Sequence, residues 1–527
     1  IKRANRVNEL TLRDAEVFGV LANAQGAQVD LTPLQGAWSN LLLLQFHDIL
    51  PGSSIGEVYR EAAADHARIH ATAAAVRDAA LGALSARVDT TAQMLAVNSL
   101  SWGRQDIARA MVPMLCLDWH APLEVVHENG QAVPAQVVTC GETGAEIVFA
   151  PAEVPALGYR GWSLRQAQEP AVTSLKVQGR RCESRYYIVE LAEDGTLARL
   201  FDKRAGREVL AEGQTANQLQ LFQDGPEREA AWNVHATLDK RSYAWDPDTA
   251  IEVVETGPVR IVVRITKRYR SSWLVQDMML YDQSPRIDFR TRVHWQERQV
   301  LLKVAFPVEV RSSEATYEIQ FGAVTRATHR NTSWEQEKFE VCAHRWVDLS
   351  EANYGVSLLN DCKYGHDVKG NVLRLTLLRG TERPDPDADR GEHTFTYALL
   401  PHPGDWRSAD TVRRAAELNA PLLCVPVAGE AAVCDEALPA SHSFFSVEGP
   451  AILETLKPAE GGDGIIMRLY EPYVGSGRVR VRARAHFVSV RECNHIEEPL
   501  ADVVAEASSF GFWIKPYQVR TFRLVCG

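Results

Sequence analysis

Long apolar runs, spaced cysteine pairs and excess positive charge are all missing from this chain, and each absence removes a class of protein. No apolar run approaches the ~20 residues that a membrane-spanning helix needs, so no span is expected. The nine cysteines, Cys116, Cys140, Cys182, Cys342, Cys362, Cys424, Cys434, Cys493 and Cys526, show no Cys-x-x-Cys spacing across 527 residues. Their odd, sparse distribution argues against a disulfide framework and for a reducing compartment. Lys and Arg number 57 against 68 Asp and Glu, a net charge of -11. Nucleic acid and anionic membrane are therefore poor partners, while a neutral sugar is compatible. Gly-x-Ser-x-Gly elbows, P-loops, His-Glu-x-x-His and Gly-x-Gly-x-x-Gly motifs are absent from any strand–helix context that would support them. No secretory leader is visible, although the first residue is Ile1 rather than Met.

What is present is ordinary globular material, 46% hydrophobic and 24% charged. Its length exceeds what one hydrophobic core fills, so three or four domains are expected. Val7, Leu10, Val17, Phe18 and Leu21 recur at helical spacing, and no capping residue precedes them. The chain is expected to open inside a helix whose start lies upstream. Thr32-Pro33 opens a second helix running to Phe46, which Pro51-Gly52 prevents from continuing. Ser54-Ile55-Gly56-Glu57 predicts a capping box for a third, alanine-rich helix reaching about Val88. Short loops between the three imply an antiparallel bundle.

After Thr91 the period changes to that of strands. Leu95–Val97, Ala110–Val112, Leu123–Val126 and Glu146–Phe149 are bounded by Gly, Pro and Asn, and the pattern continues to the C-terminus. In Val479–Arg484, arginine alternates with small aliphatic residues, giving one buried and one wet face. Arginines on a sheet face can track phosphates, but the acidic chain makes a solvated face the better reading. Regular strands with almost no helix between them predict antiparallel sandwiches.

The segment Gln45-Phe46-His47-Asp48-Ile49-Leu50-Pro51-Gly52-Ser53-Ser54 places a polar pair at the end of an apolar helix. Imidazole is a standard zinc ligand and the adjacent carboxylate can accept hydrogen bonds. The same pair also suits a helix C-terminus as a satisfied cap, and one histidine does not make a metal site. Between Glu382 and Glu392, Asp385, Asp387 and Asp389 lie among Pro and Gly without EF-hand spacing or flanking helices, which reads as a solvated acidic loop.

The Gln-Phe-His-Asp segment resembles the signature that opens the second half of glycoside hydrolase family 38, the α-mannosidases, and within it the cytosolic and bacterial branch. Asn98–Trp102, Val154–Tyr159, Leu200–Gly206, His329–Trp334, Leu358–Gly365 and Tyr397–His402 follow in the family's order, so the likeness covers nearly the whole chain. It implies a middle three-helix bundle at 1–92, a small β-domain at 93–170, a galactose-mutarotase-like super-sandwich at 171–405 and a C-terminal β-domain at 406–527. The implied activity is zinc-dependent retaining hydrolysis of α-mannosides, with cobalt as a possible substitute metal.

In the family, nucleophile and acid/base are two aspartates of an N-terminal α/β domain, with carboxyls about 5 Å apart. That domain is expected to be missing here. The resemblance therefore assigns this chain no catalytic residue, one metal ligand (His47) and a sugar-binding carboxylate (Asp48). Asp389-Arg390-Gly391 is similar to a family segment whose arginine reaches the substrate, so Arg390 is a second substrate-binding candidate, with pairing to its acidic neighbours as the alternative. Where the family usually has Asn before Gln-Phe-His-Asp, this chain has Leu44. The expected partners are an α-mannoside or oligosaccharide and the chain's own N-terminal domain, in the cytoplasm, with a homo-oligomer left open. The rival reading is a non-catalytic carbohydrate-binding or assembly module.

Overall fold

A computed structural model describes residues 1–113, 117–225, 229–234, 238–427 and 437–526; Cys116 and Cys434 lie outside them. Three helices come first, α1 (Lys2–Ala24), α2 (Thr32–Leu44) and α3 (Gly56–Ser85), and antiparallel strands follow almost without interruption. No described helix is long and apolar enough to cross a membrane. The chain divides into two compact units, one of residues Ile1–Arg6, Leu43–Asp65 and Val172–Asn419, the other of Val7–Leu42, His66–Ala171 and Ala420–Gly527.

The first unit is an antiparallel super-sandwich. Its nine-stranded sheet sets Gly391–Pro403 between Ile287–Trp295 and Tyr354–Asn360, with Trp295 opposite Gly391 and His294 opposite Glu392. A six-stranded sheet is built around Val300–Pro307, in which all eight residues are buried. A strand covered on both faces reads as a continuous apolar run rather than an alternation. Trp295, Phe289, Phe306 and Tyr397 join the two sheets in one core.

In the second unit, Met94–Asn98 and its neighbours form a sheet that also takes in Leu423–Pro426 and Ser441–Ser443 from far along the chain. Two further sheets between Phe445 and Cys526 form a sandwich closed by Phe510, Phe512 and Phe522. Here Val479 and Val481 are fully buried while Arg478 and Arg482 are exposed, as the alternation predicts.

Helix α1 departs from a simple amphipathic stripe. Besides Val17, Phe18 and Leu21 it buries Asn5, Arg6, Asn8, Arg13 and Asp14. Their partners come from distant segments: within the second unit, Asn8 donates to the His66 carbonyl at 2.9 Å and Arg13 to those of Glu454 and Ser99 at 2.8 and 3.1 Å. The capping box expected at α3 is not the arrangement found. The helix begins at Gly56, Glu57 pairs with Arg60 at 2.7 Å, and the Ser54 N–H donates to the Tyr59 hydroxyl at 2.7 Å.

Glu16 makes the second unit pH-sensitive. Burial raises its carboxyl from 4.5 to about 7, against the pull of Lys457 and a hydrogen bond from Trp38. The folded state therefore holds a proton that the unfolded chain has released, and stability falls as pH rises between 4.5 and about 7. Glu16→Gln keeps an acceptor for Trp38 and removes the ionisation. Thermal unfolding at pH 8 should show a gain on the order of 3 kcal/mol, with almost none at pH 4.

Candidate functional site

The apolar face of α2 carries the chain as far as Leu44, which is buried, and the helix ends there. The next residues turn sharply: the N–H groups of Ile49 and Leu50 both reach back to the Phe46 carbonyl, at 2.9 and 3.1 Å, and Gly52 takes a positive φ of 102°. His47 lies on this turn. Its imidazole is 75% exposed, packs against the Phe46 ring at 4.2 Å and holds Nε2 3.4 Å from Asp48 Oδ2. So exposed a ring is not a buried cap.

Asp48 is better anchored. Its Oδ1 accepts from the Ser53 hydroxyl at 2.9 Å and its carbonyl from the Tyr59 hydroxyl at 3.0 Å. Tyr59 thus bridges the two ends of the turn, donating to Asp48 while accepting from Ser54. Two contacts from the first turn of α1 complete the frame: Asn5 accepts from Gln45 at 3.1 Å, and Lys2 donates to the Pro51 carbonyl at 2.8 Å. Burial lowers the Lys2 ammonium below the usual lysine range, and Asp389 opposes that.

The acidic loop meets the same turn. A Cβ placed on Gly56 would stand 3.2 Å from Asp385 Oδ1, a tight contact that shows how closely the start of α3 and the loop approach. Tyr59 registers the same proximity: burial raises its hydroxyl, and Asp385, Asp48 and Asp389 raise it further. Asp389 takes a left-handed φ of 61°, which aspartate tolerates, and its Oδ2 accepts from the Arg379 N–H at 3.1 Å. Arg390, the last residue before the strand at Gly391, donates to Asp387 at 2.8 Å and to Gln296 Oε1 at 3.0 Å. Its acidic pairing is therefore real, and the remaining guanidinium N–H groups lie at a partly exposed rim.

Among the described residues no group of three His, Cys, Asp or Glu side chains assembles a metal site. His47 can supply one donor to a set completed from elsewhere. Sequence reasoning singled out His47, Asp48 and Arg390 but missed Tyr59, Asn5, Gln296 and Gly56. Of these, only Gly56, at a helix start beside a Pro-Gly turn, carried a local signal.

Sequence comparison gives the class to which this chain belongs. The model for the glycosyl hydrolases family 38 C-terminal domain matches residues 182–387, that for the alpha mannosidase middle domain residues 1–84, and that for the family 38 C-terminal beta sandwich domain residues 450–522. The chain belongs to glycosyl hydrolase family 38, of which it carries the middle and C-terminal domains. It is 38% identical over 485 residues to alpha-mannosidase 2C1 of Homo sapiens, an overlap of 90% of this chain and 44% of the human protein. Against alpha-mannosidase of Saccharomyces cerevisiae it is 31% identical over 433 residues, 79% of this chain and 35% of the yeast protein. An alpha-mannosidase structure from Enterococcus faecalis V583 shares the fold, with TM-score 0.80 at 16% identity over 99% of this chain and 67% of that one. The chain spans about half the length of the curated relatives it matches.

Tyr59→Phe deletes the hydroxyl that ties Asp48 to Ser54 and leaves the ring packed. Each hydrogen bond of this kind contributes about 1 kcal/mol. In the complete protein the variant should retain its melting temperature within a few degrees, read by thermal unfolding beside the wild type.

Proposed function

We propose that this chain is the middle and C-terminal part of a zinc-dependent, retaining α-mannosidase that removes terminal α-D-mannosyl residues from mannosides or free oligosaccharides. The observation carrying the proposal is the His47–Asp48 turn, exposed at its imidazole, anchored at its carboxylate and followed by the start of α3, which the loop bearing Arg390 meets at Gly56. The nucleophile, the acid/base and the other metal donors would come from an N-terminal domain outside this chain.

The residues fit a shared metal site. His47 offers one imidazole nitrogen, the kind of donor zinc takes, with cobalt a chemically reasonable substitute. Zinc bound there would supply Lewis-acid stabilisation of substrate hydroxyls and of the developing oxocarbenium ion. Asp48, with Oδ1 held by Ser53 and Oδ2 3.4 Å from His47 Nε2, would accept from sugar hydroxyls. Arg390, steadied by Asp387 and Gln296, presents its free N–H groups as a donor fork.

A cytoplasmic location is supported by the cysteines. The seven described are all unpaired, and burial pushes Cys182 up to about 11 and Cys362 and Cys424 up to about 12. Such thiols are inert packing groups, at home in a reducing compartment.

The test is hydrolysis of an aryl α-D-mannoside by the full-length gene product, with zinc supplied and then chelated. Metal-dependent release of mannose with retained anomeric configuration is expected. No turnover by intact, metal-loaded protein would overturn the proposal and bring a carbohydrate-binding module forward.

A further inference from the structure

We propose that the outer face of the nine-stranded sheet, from Trp273 to Arg390, holds the sugar units of an oligosaccharide beyond its terminal mannosyl residue. This rests on the α-mannosidase reading and extends the site at Arg390 across a surface that the reading itself does not use.

The register creates the surface. Trp273 pairs with His294, and His294 with Glu392, so the three stand in one row across three strands. Side chains alternate between faces along each strand. Leu274, Val293 and Trp295 point into the core and are fully buried, which puts Trp273, Arg292 and His294 on the outer face. There the Trp273 indole and the His294 imidazole stack at 5.8 Å and 14°, and the Arg292 guanidinium lies 5.4 Å from the Trp273 ring.

A polar relay connects this platform to the candidate site. His294 Nδ1 lies 2.6 Å from Glu392 Oε1 and its Nε2 3.0 Å from the Gln296 amide nitrogen. Gln296 Oε1 in turn accepts from Arg390 at 3.0 Å. Strand pairing needs none of these side chains. Four residues further along the strands, Arg264 and Asp277 form a closed bidentate pair at 2.7 and 3.0 Å, the usual way an outer sheet face satisfies its charges. The Trp273 row instead leaves Glu392 60% exposed beside an aromatic platform.

The chemistry suits a neutral saccharide. A pyranose offers an apolar C–H face to an indole and vicinal hydroxyls that both donate and accept. Arg292 supplies donors and Glu392 an acceptor on either side of the ring system.

The experiment uses the full-length protein with Trp273→Ala and Arg292→Ala, comparing a linear manno-tetrasaccharide with an aryl mannoside. Each variant should lose about tenfold in kcat/KM on the tetrasaccharide and change by less than about twofold on the aryl mannoside. Equal losses on both substrates, or none on either, would overturn the proposal. So would a drop in oligomeric mass, which would mean that a second copy of the chain covers the face. Calorimetric binding of the tetrasaccharide to metal-chelated protein separates this from the activity reading. Binding that Trp273→Ala abolishes supports the surface even in a protein that turns nothing over, whereas no binding by the folded wild type sinks it.

Discussion

Replacing His47 with alanine should lower the kcat/KM of the complete protein on an aryl α-mannoside by about 10³-fold, without loss of folded protein. On the proposed function His47 holds a metal that stabilises developing charge, and single groups with that task contribute about 10²–10³. The folding cost should be small because the ring is 75% exposed and its recorded partners are its own chain neighbours, Phe46 and Asp48. Surface substitutions of this kind ordinarily change stability by less than ~0.5 kcal/mol. Zinc content after dialysis should fall with activity, and His47→Gln should not restore it, since an amide is a poor substitute for imidazole. Wild-type activity and wild-type zinc content in the alanine variant would remove His47 from the metal site.

A second large effect is expected far from the turn. Lys303 lies on the fully buried strand Val300–Pro307 and pairs with both Glu340 and Asp367, its side chain only 2% exposed. Burial works against its charge, but the two carboxylates outweigh that and hold the ammonium above the ordinary lysine range. Lys303→Met fills the space and leaves two carboxylates facing each other in the interior. Breaking a buried ionic cluster by deleting one partner costs about 3–5 kcal/mol. The denaturant midpoint should drop accordingly, with little change in its slope. Replacing Glu340 and Asp367 with Gln and Asn in the same background should recover much of the loss; if it does not, the cost arises from packing.

The Lys303 cluster also marks the limit of the sequence. An isolated Lys in Val-Leu-Leu-Lys-Val-Ala-Phe-Pro reads as the solvent side of a strand, and nothing nearby names its partners, which lie 37 and 64 residues further on. The polar residues of α1 behave alike: Arg6 reads as surface charge, yet it is buried and donates to Asn419, 413 residues away, at 2.8 Å. In the candidate site, His47, Asp48 and Arg390 were legible because they sit in recognisable strings. Tyr59, Asn5 and Gln296 were not, because each acts through one side chain whose partner is fixed by the fold.

The sequence by itself determined the α-then-β order, the antiparallel sandwiches and the turn at Pro51-Gly52. Period, capping and Gly/Pro punctuation are properties of neighbouring residues and survive without tertiary contacts. Only the tertiary structure decided that the acidic loop meets Gly56 and Tyr59, that Trp273 shares a row with His294 and Glu392, and which charges are buried. Those pairings depend on strand register and close approach between segments from about twenty to several hundred residues apart, which no local pattern encodes.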